Sequence, residues 1–115
     1  MADLIKSGKD LIRFFDKEQF VEKTYQQINK DLDSAELSLD WSNITLQEDI
    51  LPQLIAELIP MLKSLPAEKL SAFIYRVDLP EKHFLLFLKE QNYEQFAFEI
   101  ILREAQKVYL RQHFS

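Results

Sequence analysis

The chain has 115 residues, of which 47% are hydrophobic and 29% charged, and its net charge is −5. One glycine, no cysteine and two histidines exclude thiol nucleophiles, disulfides and zinc–thiolate sites. They also leave almost nothing for Gly-rich phosphate loops or tight β-turns.

The length fits a single domain, 1–115, and the apolar content, nine Phe included, suffices for a core. Met1-Ala2-Asp3 leads into Leu4-Ile5-Lys6 without the apolar run of a secretory signal. The longest unbroken run of large apolar residues, Phe84 to Leu88, is far short of a membrane span. The expectation is a cytoplasmic protein with no membrane partner. Charge is unevenly placed. Residues 1–30 carry six basic and five acidic side chains, residues 31–62 seven acidic and no basic, and residues 63–115 eight basic and seven acidic. An acidic balance argues against nucleic acid as a partner, because affinity for it rests on phosphate neutralisation.

Leu4 to Phe15 has the spacing of an amphipathic helix, interrupted at Ser7-Gly8. Asp16 with Gln19 forms a capping box. Phe20, Val21, Tyr25, Ile28 and Leu32 then predict a helix of about 16 residues with one apolar face. Asp33 to Ile44 alternates Leu37, Leu39 and Trp41 with polar residues, a period of two. A lone strand needs a partner, so this segment reads as an extended acidic connection with those three side chains tucked onto the helices. Thr45 with Glu48 is a second capping box. It is followed by a helical stripe of Ile50, Leu51, Leu54, Ile55, Leu58, Ile59 and Leu62, with Pro60 expected to kink or end it.

Two short helices follow. Ser64-Leu65-Pro66 and Asp78-Leu79-Pro80 each offer a capping side chain and then a proline for the first turn. Phe84 to Leu88 is apolar all round, which predicts a buried helix. Asn92 with Gln95 caps the longest helix, about Tyr93 to His113. Its polar residues Gln95, Glu99, Arg103, Lys107 and Arg111 fall on one line, read as the strip left in water. The fold expected is all-α, a compact array of five or six helices, short in the middle and ending in a long C-terminal helix. Leu54, Leu58, Phe96 and Ile100 are candidate core.

Motifs of chemistry are sparse. Asp31-x-Asp33-x-x-Glu36 lacks the glycine and final glutamate of a calcium loop. His83 and His113 have neither a second histidine four residues away nor a glutamate three before. No metal, no cofactor and no catalytic residue is expected. The reading is a small non-catalytic interaction or regulatory module. Its partner is another protein of basic character, docking on Asp33, Glu36, Asp40 and Trp41, and self-association into a homo-oligomer is compatible with it. Tryptophan is enriched at binding hot spots, and clustered acids speed encounter with a basic partner. One alternative is a nucleic-acid-associated protein using Arg103, Lys107 and Arg111 as an anion-binding stripe. Another is a small-molecule binder or enzyme with an aromatic-lined pocket.

Overall fold

The computed structural model describes residues 18–42, 44 and 50–114. Within them lie five helices: α1 (Glu18–Ser34), α2 (Ile50–Ser64), α3 (Ala67–Val77), α4 (Glu81–Glu90) and α5 (Tyr93–Phe114). There is no strand among the described residues. The expected helix over Leu4 to Phe15 and the boxes at Asp16 and Thr45 lie outside the described residues, wholly or in part.

Helix α5 is the spine, and each of the other four packs on it. Helix α1 runs antiparallel to it, since Asp31 meets Lys107 while Lys23 lies beside Arg111 and Gln112. Helix α4 is also antiparallel, with Phe84 stacked on Phe96 and Phe87 edge-on to Tyr93. The end of α2 reaches the start of α5, where Lys63 sits 5.4 Å from the Tyr93 ring centre. The radius of gyration, 13.5 Å, is what a compact chain of this length gives, about 13 Å.

The apolar spacings place the core. Val21, Ile28 and Leu32 on α1, Leu54 and Leu58 on α2, Phe73 on α3 and Phe96, Ile100 and Ile101 on α5 are all fully buried. From residue 37 to 41 the connection after α1 has no regular secondary structure, and Leu37, Leu39 and Trp41 pack against this core while Ser38 and Asp40 are exposed, the alternation that the period-two pattern predicts.

Three expectations are corrected. Helix α2 runs through Pro60 without a break. Pro60 and Ala56, whose carbonyl loses its donor, are both on the exposed face, while Leu54, Leu58 and Leu62 hold the inner face. Ser64 and Asp78 do not cap the helices that follow. Pro66 and Pro80 themselves occupy the N-cap position, with no side-chain cap. Ser64 Oγ donates instead to the Met61 carbonyl, and Asp78 closes α3. Finally, α4 is not buried all round. Phe87 is buried, but Leu85, Leu86 and Leu88 are 56%, 46% and 51% exposed. A ten-residue helix that packs mainly on one neighbour covers only one face.

With glycine absent from these junctions, non-glycine residues turn the chain. Glu36, Asp78 and Gln91 have φ of 61°, 64° and 55°. After α1, Glu36 N–H donates to Asp33 O and Leu37 N–H to Leu32 O; after α3, Asp78 and Leu79 repeat the pattern onto Tyr75 and Ile74. These are Schellman closures. Gln91 makes the simpler turn, donating to Phe87 O at 2.6 Å. Left-handed φ costs a residue with a Cβ about 1 kcal/mol or more. Gln91→Gly is therefore expected to raise stability by about 1 kcal/mol in urea titration, whereas Gln91→Ala keeps the Cβ and gains nothing. Equal stability of the Gly and Ala variants would contradict this.

Candidate functional site

The polar line on α5 does not face open water. Its three central members each grip a different helix. Glu99 Oε2 takes His83 Nδ1 of α4 at 2.8 Å, and Glu99 Oε1 accepts from Gln95. Arg103 holds the end of α3, donating from Nε to the Asp78 carbonyl and pairing its guanidinium with Asp78 Oδ2 at 2.8 Å. Lys107 reaches deepest. Its Nζ lies 2.6 Å from Asp31 Oδ2 of α1 and 2.7 Å from Glu104 Oε1, and donates to the Arg76 and Val77 carbonyls at 3.0 and 3.3 Å. Those carbonyls end α3, so the ammonium also answers that helix's dipole. Gln27 Nε2 donates to the second Asp31 oxygen at 3.2 Å.

Glu104 is the deepest charged side chain of this cluster, with none of it exposed. Neither of its oxygens has a well-angled hydrogen bond; the Lys107 ammonium is its ion-pair contact. Burial pushes the Glu104 carboxyl up to about 9, the nearby Asp31 carboxyl adds to the rise, and Lys107 opposes it. At neutral pH Glu104 holds its proton, and Lys107 is left to balance Asp31.

Of the expected anion stripe, Arg103 and Lys107 are thus engaged by the chain's own carboxylates. Arg111, exposed, is not brought into that seam. The expected acidic surface is also partly engaged. Glu36 pairs with Lys69 at 2.8 Å, which holds its carboxyl below the ordinary value. Asp40 accepts from the Ser42 N–H and hydroxyl at 2.9 and 3.0 Å, and the backbone bond chiefly lowers it. Asp33 is exposed and borders a groove of about 390 Å³ with Leu37, Ser38 and Leu39. Trp41 is half-buried, stacked on Tyr25 with ring centres 6.0 Å apart, and its Nε1 donates to Asn29 Oδ1. It anchors the connection to α1.

The His83–Glu99 pair opens on a groove of about 460 Å³ lined also by Asp78, Arg103 and Gln106. Nδ1 is held by the carboxylate, which is how a catalytic base is oriented, but no hydroxyl lines the groove for the imidazole to activate. Phe87 and Phe96 border a cavity of only about 30 Å³ because they stack on each other at 4.0 Å. Among the described residues no three His, Asp or Glu converge as a metal site, and no helix is long and apolar enough to cross a membrane. The chain matches no known family model, curated protein or solved structure.

Sequence reasoning missed two surfaces. One is the leucine face of α4. The other is a groove between α1 and α5 that brings Lys23 and Lys30 beside Arg111. The i, i+7 spacing of the two lysines signals a shared face, but only the helix pairing supplies the arginine.

The Glu104 proton has a measurable consequence. Between its ordinary value of 4.5 and about 9, the folded chain binds a proton there that the unfolded chain has released. Folding stability from this group is therefore greatest at the acid end of that window and falls as pH rises through it. Glu104→Gln, neutral throughout, is expected to flatten the decline, with its advantage over the native chain growing toward alkaline pH. Urea midpoints across the window test this; parallel profiles for the two proteins would contradict it.

Proposed function

We propose that the chain is a non-catalytic protein-interaction module, and that α4 is the element it offers. The observation that carries this is the exposure of Leu85, Leu86 and Leu88 on one short helix. Scattered exposed leucines are ordinary, but Leu85 and Leu88, adjacent at i and i+3, are a patch of the kind that partners cover. Leu85 and Leu88, at i and i+3, form a ridge, and Leu86 flanks the opposite side of the helix. Phe84 and Phe87 face inward and stack on Phe96, so the ridge is presented on a fixed base.

A ridge of this kind suits an apolar groove on a partner protein, the arrangement by which amphipathic helices are bound. The helix ends carry Glu81, Lys82, Lys89 and Glu90, two of each sign. Such a balanced rim gives no charge steering, so binding here is insensitive to salt. The acidic surface at Asp33, Asp40 and Trp41 supports a different docking mode, to a basic partner and strongly salt-dependent.

The two modes separate in one experiment. A photo-crosslinking residue at position 89, beside the Leu85–Leu88 ridge, is introduced in cells of the native host, and crosslinked proteins are identified. They are then titrated against purified Leu85→Asp/Leu88→Asp and Asp33→Lys/Asp40→Lys variants. The α4 pair is expected to weaken binding about thirtyfold or more, since loss of two central apolar contacts costs roughly 2 kcal/mol or more. The acidic pair is expected to change little. Binding abolished by the acidic pair and kept by the α4 pair would overturn the α4 assignment. No crosslinked partner in any condition would overturn the module reading itself.

A further inference from the structure

We propose that the groove between α1 and α5 is a binding site for a small anion carrying several linked phosphates. The groove encloses about 470 Å³ and is lined by Lys23, Gln26, Gln27 and Lys30 of α1 and Val108, Arg111 and Gln112 of α5. That volume lies within the range of small-molecule sites, roughly 300–1,000 Å³.

Its lining sets it apart. The grooves beside Asp33, beside Asp78 and Glu99, and beside Glu90 each carry a carboxylate. Among the described residues this one is lined by three cations and no acid, in a chain of net charge −5. Elsewhere Lys69, Arg103 and Lys107 pair with Glu36, Asp78 and Asp31, while other exposed cations such as Arg76, Lys82 and Lys89 share none of those three grooves. Lys23, Lys30 and Arg111 have no acidic partner among the described residues, and all three are exposed. Three unmatched cations converging on one cleft repel one another and are relieved by a bound anion. The nearest buried acid, Asp31, is turned away and bound by Lys107 and Gln27.

The geometry selects among anions. Lys23 and Lys30 are seven residues apart on one helix, about 10 Å along its axis. One orthophosphate does not bridge that span well, whereas a chain of linked phosphates does. Arg111 supplies a planar fork suited to phosphate oxygens, and Gln26 and Gln112 supply neutral donors. Val108 forms an apolar floor. Among the described residues no aromatic ring lines the groove, so none of them offers a nucleobase a stacking platform. The phosphate chain is the part recognised, whether free or attached to a nucleoside. The site lies at the opposite end of α5 from α4, so it stands or falls independently of the docking reading.

Calorimetric titration of the full chain at low ionic strength tests the assignment, with orthophosphate, tripolyphosphate, a nucleoside triphosphate and a single-stranded oligonucleotide as probes. Tripolyphosphate is expected to bind one to one and about tenfold more tightly than orthophosphate, and Lys23→Gln/Arg111→Gln to weaken it about tenfold or more. Lys30→Gln alone should weaken tripolyphosphate more than orthophosphate. Lys82→Gln/Lys89→Gln, with the same charge change on α4, should bind as the native chain does. All these positions are exposed, and circular dichroism verifies the fold. The nucleoside triphosphate binding no more tightly than tripolyphosphate assigns the site to the phosphate chain alone; tighter binding assigns the phosphates to a nucleotide. Absence of tripolyphosphate binding would overturn the proposal. So would equal loss in the α4 control, or an oligonucleotide bound tenfold more tightly than tripolyphosphate through the same residues.

Discussion

The Lys107 ammonium is the contact on which the array depends. Within 3.3 Å it has four oxygens from three helices: Asp31 of α1, Arg76 and Val77 of α3, and Glu104 of its own helix. Its three protons are taken by Asp31 Oδ2 and the Arg76 and Val77 carbonyls, and Glu104 is an ion-pair contact without a hydrogen bond. Such a cluster contributes less to net stability than its Coulomb energy suggests, because both charges leave water. Its effect is on arrangement. Asp31 is tolerable inside the fold where Lys107 stands, and Lys107 together with Arg103 holds the end of α3, so these side chains favour one register of α1 and α3 on α5.

The same logic extends along α5. At four-residue steps Glu99, Arg103 and Lys107 take hold of α4, the close of α3, and α1 in turn. Arg103 pairs with an Asp78 that is mostly exposed, so that contact contributes at most about 1 kcal/mol, and Lys107 is the more buried of the two cations. Apolar packing supplies most of the stability around this seam, with aromatic stacking at the α4 end and small buried residues, Ala97 and Ala105, where helices approach closely. The seam uses up the polar strip of α5. What remains open lies at its two ends: leucines on α4 near residue 96, and unmatched cations on α1 near residue 111.

Much of this was legible in the sequence, for definite reasons. The i, i+3, i+4 spacing of Leu54, Leu58 and Leu62 and of Phe96 and Ile100 specifies inward faces, and all five are buried. Asn92 signals a helix start, and its Oδ1 accepts from Gln95 N–H at 3.1 Å. The alternation of Leu37, Leu39 and Trp41 gives a one-sided extended segment. The misreadings share a cause. Periodicity states which residues share a face but not what that face meets. The line Glu99, Arg103, Lys107 looks the same in sequence whether it meets water or His83, Asp78 and Asp31. The run Phe84 to Leu88 looks the same whether a helix has neighbours on every side or on one. Asp78 and Ser64 resemble N-caps by type, yet Pro66 and Pro80 displace them into the ends of the preceding helices. The lysines of the α1–α5 groove were invisible as a cluster because their third member lies eighty residues away in the chain.

Lys107 and Asp31 act as a partly buried, coupled pair that fixes α1 on the spine. A double-mutant cycle of Lys107→Met and Asp31→Asn, read by equilibrium urea unfolding, tests it most directly. Lys107→Met alone should cost about 3–5 kcal/mol, because it strands the Asp31 charge. Asp31→Asn in the same chain should recover a large part, giving a coupling of roughly 1–3 kcal/mol. A loss under about 0.5 kcal/mol for Lys107→Met, the size of an ordinary surface substitution, with additive effects in the double variant, would contradict the account.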